Sequence, residues 1–148
     1  MRRLLFIFLL AICSHSAFAQ FPLGSNATQI KAYFDTNIAY LNEQDFKTEN
    51  GTPAMCFRKV KEVGDYVFYF DSNGNCFTYT VTYDKNELPD LVSRFDNRFV
   101  KIYSTKWTAQ DNSFDVTLVP PKPGENYFSI VYRPLDASNS TTNILASN

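Results

Sequence analysis

Residues 66–83 place the strongest constraint on the fold. In the run 66–70 the rings of Tyr66, Phe68 and Phe70 share one face, and in the run 76–83 large apolar side chains alternate with Cys76 and three threonines. The loop Asp-Ser-Asn-Gly-Asn separates the two runs. A period of two is typical of half-buried strands in an antiparallel sheet. Asn73-Gly74 supplies the positive φ angles that a tight hairpin requires. We therefore predict a β-hairpin in this segment.

The same loop is rich in oxygen ligands, so a calcium site is the alternative interpretation. An EF-hand loop needs Gly at its sixth position and Glu at its twelfth. Counted from Asp71, those positions hold Cys76 and Thr82, which favours a turn. The pairs expected across this turn are Phe70 with Phe77 and Phe68 with Tyr79.

Other patterns predict two helices and further strands. Apolar residues recur at helical spacing in 26–41 and again in 84–100, where Pro89 falls in the first turn. The remaining strand-like runs are 55–61, 101–109, 114–118 and 127–132. The predicted fold class is α+β, an antiparallel sheet of about six strands with two helices on one face. The predicted element order is α-βββ-α-βββ.

This order suggests an internal duplication. Residues 31–41 can be set against 93–102 at an offset of 61, and residues 75–81 against 126–132 at an offset of 51. Any two amphipathic helices or aromatic strands resemble each other to this extent. A true duplication and a chance likeness therefore both stay open.

The first 19 residues have the three parts of a secretory signal peptide. Arg2 and Arg3 precede an apolar run at 4–12, and Ala17-Phe18-Ala19 forms a small-x-small cleavage site. The run is shorter than the about 20 residues that a transmembrane helix needs. We predict cleavage after Ala19, a secreted or periplasmic protein, and no membrane span.

A lipid anchor at Cys13 is a weaker alternative. Residues 10–13 loosely resemble a lipobox, but the bulky Ile12 stands where that motif has a small residue. We therefore expect signal-peptide cleavage rather than lipidation.

The mature chain has the size of one domain. Residues 20–134 are predicted to form a single α+β domain and residues 135–148 a flexible polar tail. Loss of Arg2 and Arg3 changes the formal net charge from −1 to −3. No run of like charge marks a nucleic-acid surface, so no nucleic-acid partner is expected.

Catalytic chemistry is restricted because His15, the one histidine, lies inside the signal peptide. The mature chain cannot build a Ser-His-Asp or Cys-His nucleophile, or supply histidine to a catalytic zinc. We predict no cofactor, no metal and no enzyme activity. A hydrolase based on two carboxylates is the residual alternative. Its candidates are Asp71, Asp84, Glu87 and Asp90.

Cys56 and Cys76 are the two cysteines of the mature chain. An oxidising compartment favours a disulfide. A three-stranded meander instead places both near the Asp71 end of the middle strand, one on each side of it, which is too far apart for a bridge. A disulfide and two free thiols both remain possible from the sequence.

The aromatic content is high, with 14 Phe, 9 Tyr and one Trp in the full chain. Core packing accounts for most of these side chains. Trp107, Tyr69 and Tyr103 are the candidates for a binding surface. We expect an exported, non-catalytic module that binds an unknown protein or cell-envelope component. The alternative is a small-molecule or glycan binder with an aromatic cleft.

Overall fold

The computed structural model describes residues 22–36, 40–59 and 64–135. The predicted signal peptide and residues 136–148 of the predicted tail lie outside the described residues. The described chain forms an α+β fold with one antiparallel sheet, which confirms the predicted class.

The elements come in two successive groups of one helix and four strands. The first group comprises α1 (Ala27–Asp35), β1 (Tyr40–Lys47), β2 (Pro53–Lys59), β3 (Asp65–Phe70) and β4 (Cys76–Asp84). A 3₁₀ turn (Lys85–Glu87) leads into the second group. That group comprises α2 (Leu88–Arg98), β5 (Val100–Tyr103), β6 (Lys106–Thr108), β7 (Phe114–Val119) and β8 (Tyr127–Pro134).

Eight strands form the sheet, in the order β1-β2-β3-β4-β8-β7-β6-β5. Each helix-plus-four-strand group therefore builds one half, and β4 and β8 meet in the middle. Thr80 lies opposite Val131 at this seam. Thr80 and Val131 are 51 residues apart, which is the offset at which residues 75–81 were aligned with residues 126–132. The halves thus meet as in a two-fold symmetric contact within one chain.

The prediction of about six strands in the order α-βββ-α-βββ is wrong. β1 occupies the region predicted as a helix end and a polar connector. An edge strand pairs on one side and often carries charged residues, so it lacks the strong apolar alternation of a central strand. The run predicted as one strand at 101–109 is two short strands, β5 and β6.

The hairpin turn is confirmed at residues 71–75. Asp71 Oδ1 accepts hydrogen bonds from the backbone N–H groups of Asn73 and Asn75, each at 2.9 Å. Gly74 has φ = +79°, which a side chain would disfavour. Phe68 pairs with Tyr79 as predicted. Phe70, however, pairs with Cys76 rather than Phe77, because an irregularity shifts the register after Tyr69.

The first helix is shorter than its apolar spacing predicted. It begins with a capping box, in which Asn26 Oδ1 accepts from the Gln29 N–H at 3.0 Å and Gln29 Oε1 accepts from the Asn26 N–H at 2.9 Å. It ends at Asp35, with Thr36 as the C-cap. Residues from Tyr40 onward pair with β2 instead of continuing the helix.

Each helix covers its own hydrophobic cluster. Ile30 and Phe34 of α1 pack with Met55, Phe57, Phe68, Phe70 and Cys76. Leu91 and Phe95 of α2 pack with Trp107, Ala109, Phe114, Val116, Leu118, Phe128 and Ile130. Ile30 corresponds to Leu91, and Phe34 to Phe95, at the offset of 61 residues. Leu23 packs against both clusters. At the seam, Tyr79 and Tyr132 stack with ring centroids 4.4 Å apart.

Candidate interaction surface

The pairing register assigns every strand residue to one of two sheet faces, because successive side chains alternate. Both helix clusters use the same face, since Phe68 is opposite Met55 and Tyr79, and Tyr79 is opposite Tyr132, which is opposite Val116. We call this the covered face and the other the open face. Among the described residues, both helices pack on the covered face.

One row of paired residues on the open face crosses all eight strands. It shows which side chains share that surface. From β1 to β5 the row is Gln44, Cys56, Val67, Thr80, Val131, Thr117, Lys106 and Tyr103. Its middle is made of threonine and valine, with Thr80 and Val131 at the seam.

The centre of the open face is made mostly of small side chains, and at least two of its hydroxyl groups are hydrogen-bonded within the chain. Thr78, Thr80 and Thr82 project from β4 on this side. The Thr78 hydroxyl donates to the Tyr132 carbonyl oxygen at 2.8 Å, and Thr78 is buried together with Ala54 and Val131. Small and β-branched side chains therefore form most of the floor of this face, around the half-buried ring of Tyr69.

The rim of the open face is apolar. The described residues include eight large apolar side chains that are exposed, and five of them lie on this face. These five are Phe46 on β1, Val100 and Tyr103 on β5, Val119 on β7 and Tyr127 on β8. Exposed apolar side chains are individually common, but a surface that collects most of them indicates an interaction site.

The charges of the open face balance. Arg58 binds Asp65 through two contacts, Nε to Oδ1 at 3.0 Å and Nη2 to Oδ2 at 3.2 Å. Lys106 Nζ lies 2.6 Å from Asp115 Oδ2. An offset of 50 relates Asp65 to Asp115, but Arg58 is directly opposite Asp65, whereas Lys106 is opposite Thr117 and reaches Asp115 diagonally. Arg133 and Asp84 complete the described charged residues of this face, which gives it no net charge.

Two of the three predicted binding residues lie on the open face. Tyr103 is 69% exposed at the β5 edge. Tyr69 is half-buried on β3, where it is hydrogen-bonded to the Thr80 hydroxyl, and burial raises the pKa of its phenol. Tyr69 is directly opposite Ala54 and Thr78. The structure therefore places Tyr69 near the centre and Tyr103 at the rim.

Trp107, the third predicted residue, is fully buried on the covered face, with 0% of its surface exposed. Its indole Nε1 donates to Asp96 Oδ1 at 2.7 Å, while Lys101 Nζ contacts Asp96 Oδ2 at 2.8 Å. Lys101 also lies over the Trp107 ring. Here the ring anchors α2 to the sheet and leaves no surface for a ligand.

The two cysteines lie on different faces and both are free thiols. Cys56 is partly exposed on the open face, opposite Val67. Cys76 is buried on the covered face beneath α1. Burial raises the pKa of the Cys76 thiol to about 12 and also raises that of Cys56, with Asp65 adding to the second effect. The prediction that both lie near the Asp71 end fails for Cys56.

The four candidate carboxylates are divided between two roles. Asp71 holds the hairpin turn, and Asp84 Oδ1 accepts from the Asn86 N–H at 2.8 Å as the cap of the 3₁₀ turn. Glu87 and Asp90 line an open depression on α2 together with Ser93 and Arg94. In the described ranges no group of three His, Cys, Asp or Glu side chains is placed to hold a metal ion.

Sequence reasoning missed Phe46, Val100, Val119 and Tyr127 as members of this surface. Their exposure becomes meaningful only when the register places them on one face. Tyr127 falls in the predicted strand 127–132, and Val119 directly follows the predicted strand 114–118, so their alternation with buried Phe128 and Leu118 was a usable signal. Phe46 carried no such signal, because β1 was not predicted as a strand.

Comparisons with known proteins identify no relative. No family model matches the chain, and neither the curated proteins nor the solved structures give a significant match. Within the described residues, no helix has the length and apolar character needed to cross a membrane. The function is therefore inferred from the geometry of the open face.

Proposed function

We propose that this chain is an exported, non-catalytic interaction module, and that the open face of its sheet is the contact surface. The observation that supports this most strongly is that five of the eight exposed large apolar side chains of the described residues lie on a face that neither described helix covers. Export rests on the predicted signal peptide of residues 1–19.

Physical reasons favour contact with a partner over catalysis on this face. Most of its floor is made of small side chains around the half-buried ring of Tyr69, four of its six charged groups form ion pairs within the chain, and its exposed apolar groups stand at the rim. Removing such apolar surface from water stabilises a complex by roughly 25 cal/mol for each Å². A broad, flat surface with exposed tyrosines is typical of binding to another macromolecule.

The test compares complexes formed in the native export compartment. The wild-type chain and a variant with Val119→Lys and Tyr127→Lys would be recovered in parallel and measured by native mass spectrometry. Both positions are exposed on neighbouring strands of the open face, so the fold should tolerate lysine. We expect a bound mass that vanishes on denaturation for the wild type and is lost in the variant. Equal bound masses in both proteins would contradict the proposal.

A glycan is the second candidate partner, favoured by the exposed phenol rings of Tyr103 and Tyr127. Aromatic rings on a flat surface can stack against sugar rings. A sedimentation assay with insoluble cell-envelope polysaccharide tests this. Co-sedimentation that Tyr103→Ala and Tyr127→Ala abolish would support a glycan, whereas a chain that stays in the supernatant would exclude that polysaccharide.

The two halves are further proposed to descend from a duplicated α-ββββ unit. Their shared element order, the corresponding apolar pairs on the two helices and the seam at Thr80 and Val131 all support this. The proposal also accounts for the corresponding positions of Asp65 and Asp115, each of which binds a cation on the neighbouring strand.

A further inference from the structure

We propose that the open face binds the open face of a second copy of this chain, forming a two-layered dimer of sheets. This inference rests on the proposed function, because it names the partner of the same surface. Stacked sheets lie about 10 Å apart, a separation that suits interdigitating side chains of moderate size.

The available area matches what a stable dimer requires. Eight strands spaced about 4.8 Å apart, with about six residues per strand at about 3.3 Å each, give a face of roughly 750 Å². A standard protein interface buries about 800 Å² on each partner. The face is thus large enough for a specific dimer, provided that most of its width takes part.

Charge also favours a second copy over a strongly charged partner. The open face carries three cationic and three anionic described side chains, so two copies meet without net repulsion. Four of these six form ion pairs within the chain, which lowers the cost of covering them. A strongly acidic or basic partner would find no complementary field on this face.

The distribution of side-chain size fits a symmetric contact. The floor around Thr80 and Val131 is made of small and β-branched side chains beside the half-buried ring of Tyr69, while exposed aromatic and aliphatic groups stand at the rim. Phe46 marks the β1 edge, and Val100 and Tyr103 mark the β5 edge. Since the two halves are related by an approximate two-fold arrangement, both edges can offer apolar groups to a copy placed face to face.

The test is sedimentation equilibrium on the mature chain, residues 20–148, from about 1 µM to about 200 µM. The wild type is expected to change from monomer to dimer within this range. Val119→Lys/Tyr127→Lys is expected to weaken the dimer about 100-fold or more, because four added charges would be buried in each dimer. The matched control is Tyr33→Lys/Ser93→Lys, which adds the same charge to exposed helix positions and should dimerise like the wild type.

Three results would overturn the inference. These are a wild type that stays monomeric at about 200 µM, a dimer that the open-face lysines do not weaken, and a dimer that the helix lysines weaken equally. Circular dichroism and thermal melting confirm that each variant is folded. If the wild type is monomeric but the open-face variant still loses its compartment partner or its polysaccharide, the proposed function stands and only the self-association fails.

Discussion

The two faces of this sheet share the same strands but differ in how they use aromatic residues. On the covered face, Phe68, Trp107 and Phe128 are fully buried. On the open face, the buried residues are small or β-branched, Tyr69 is half-buried near the centre, and the large rings of Phe46, Tyr103 and Tyr127 stand exposed at the rim. Aromatic content alone therefore does not identify a binding surface. The face on which each ring lies decides whether it serves folding or contact.

The largest expected difference between the two faces is in the rate at which their cysteine thiols react. Cys76 is 1% exposed with a pKa near 12, and Cys56 is partly exposed. At pH 8.5 and low protein concentration, a thiol reagent should modify Cys56 at least about 100-fold faster, because Cys76 reacts only when the structure opens. Time-resolved mass spectrometry measures both modification rates, and the variants Cys56→Ser and Cys76→Ser show which rate belongs to which cysteine. Similar rates would show that the faces are not distinct.

Truncating an aromatic ring should lower the free energy of unfolding much more on the covered face than on the open face. Phe68→Ala removes contacts with the rings of Phe34, Phe57 and Tyr79 and should lower the free energy of unfolding by about 3–5 kcal/mol. Tyr103→Ala on the open face should change it by less than about 0.5 kcal/mol. Urea unfolding at low protein concentration provides both values. A large loss for Tyr103→Ala would mean that its ring is part of the core.

Acid should weaken the anchor between α2 and the covered face. Hydrogen bonds from Lys101 and then from Trp107 lower the pKa of Asp96. A lowered folded-state pKa contributes stability above the unfolded value of about 3.9, and this contribution is lost as the pH falls through the folded value.

As the pH falls from about 4 to about 2, the free energy of unfolding should therefore decrease more for the wild type than for Asp96→Asn. Asp90→Asn, on the same helix, is the control and should follow the wild type. Urea unfolding across this range gives the comparison. Parallel pH profiles for wild type and Asp96→Asn would show that the Asp96 contacts do not stabilise the fold.

A small effect on stability is also expected from the ion pairs of the open face. Lys106→Ala removes the contact with Asp115, yet partly exposed pairs contribute about 0–1 kcal/mol to stability. The free energy of unfolding of the monomer should fall within this range. A loss of several kcal/mol would indicate that this pair is enclosed, in conflict with an open face.

Sequence reasoning succeeded where local signals agreed. In the β3–β4 hairpin, strong alternation and Asn73-Gly74 both favoured one structure, and the Phe68–Tyr79 pair was correct. The apolar face of α2 was also identified, since Leu91 and Phe95 are buried. In these segments the sequence spacing of the buried residues is the spacing that a strand or helix produces on one of its faces. Local sequence was therefore enough to predict both the element and its buried side.

The errors arose where non-local contacts decide the structure. β1 carries polar residues because it is an edge strand, so its identity depends on pairing with β2. Trp107 lies in a three-residue strand without recognisable alternation, and its burial depends on α2 and Asp96. The open face could not be delineated either, because membership requires the register of all eight strands.

The most direct test of the open face as a contact surface is the rate of Cys56 modification as a function of protein concentration. Cys56 lies in the row that crosses the open face, whereas Cys76 lies on the covered face. If two copies stack through the open face, the Cys56 rate should fall as dimer forms in the wild type and stay constant in Val119→Lys/Tyr127→Lys. A Cys56 rate that is independent of concentration, in a sample shown by sedimentation to be dimeric, would place the contact elsewhere.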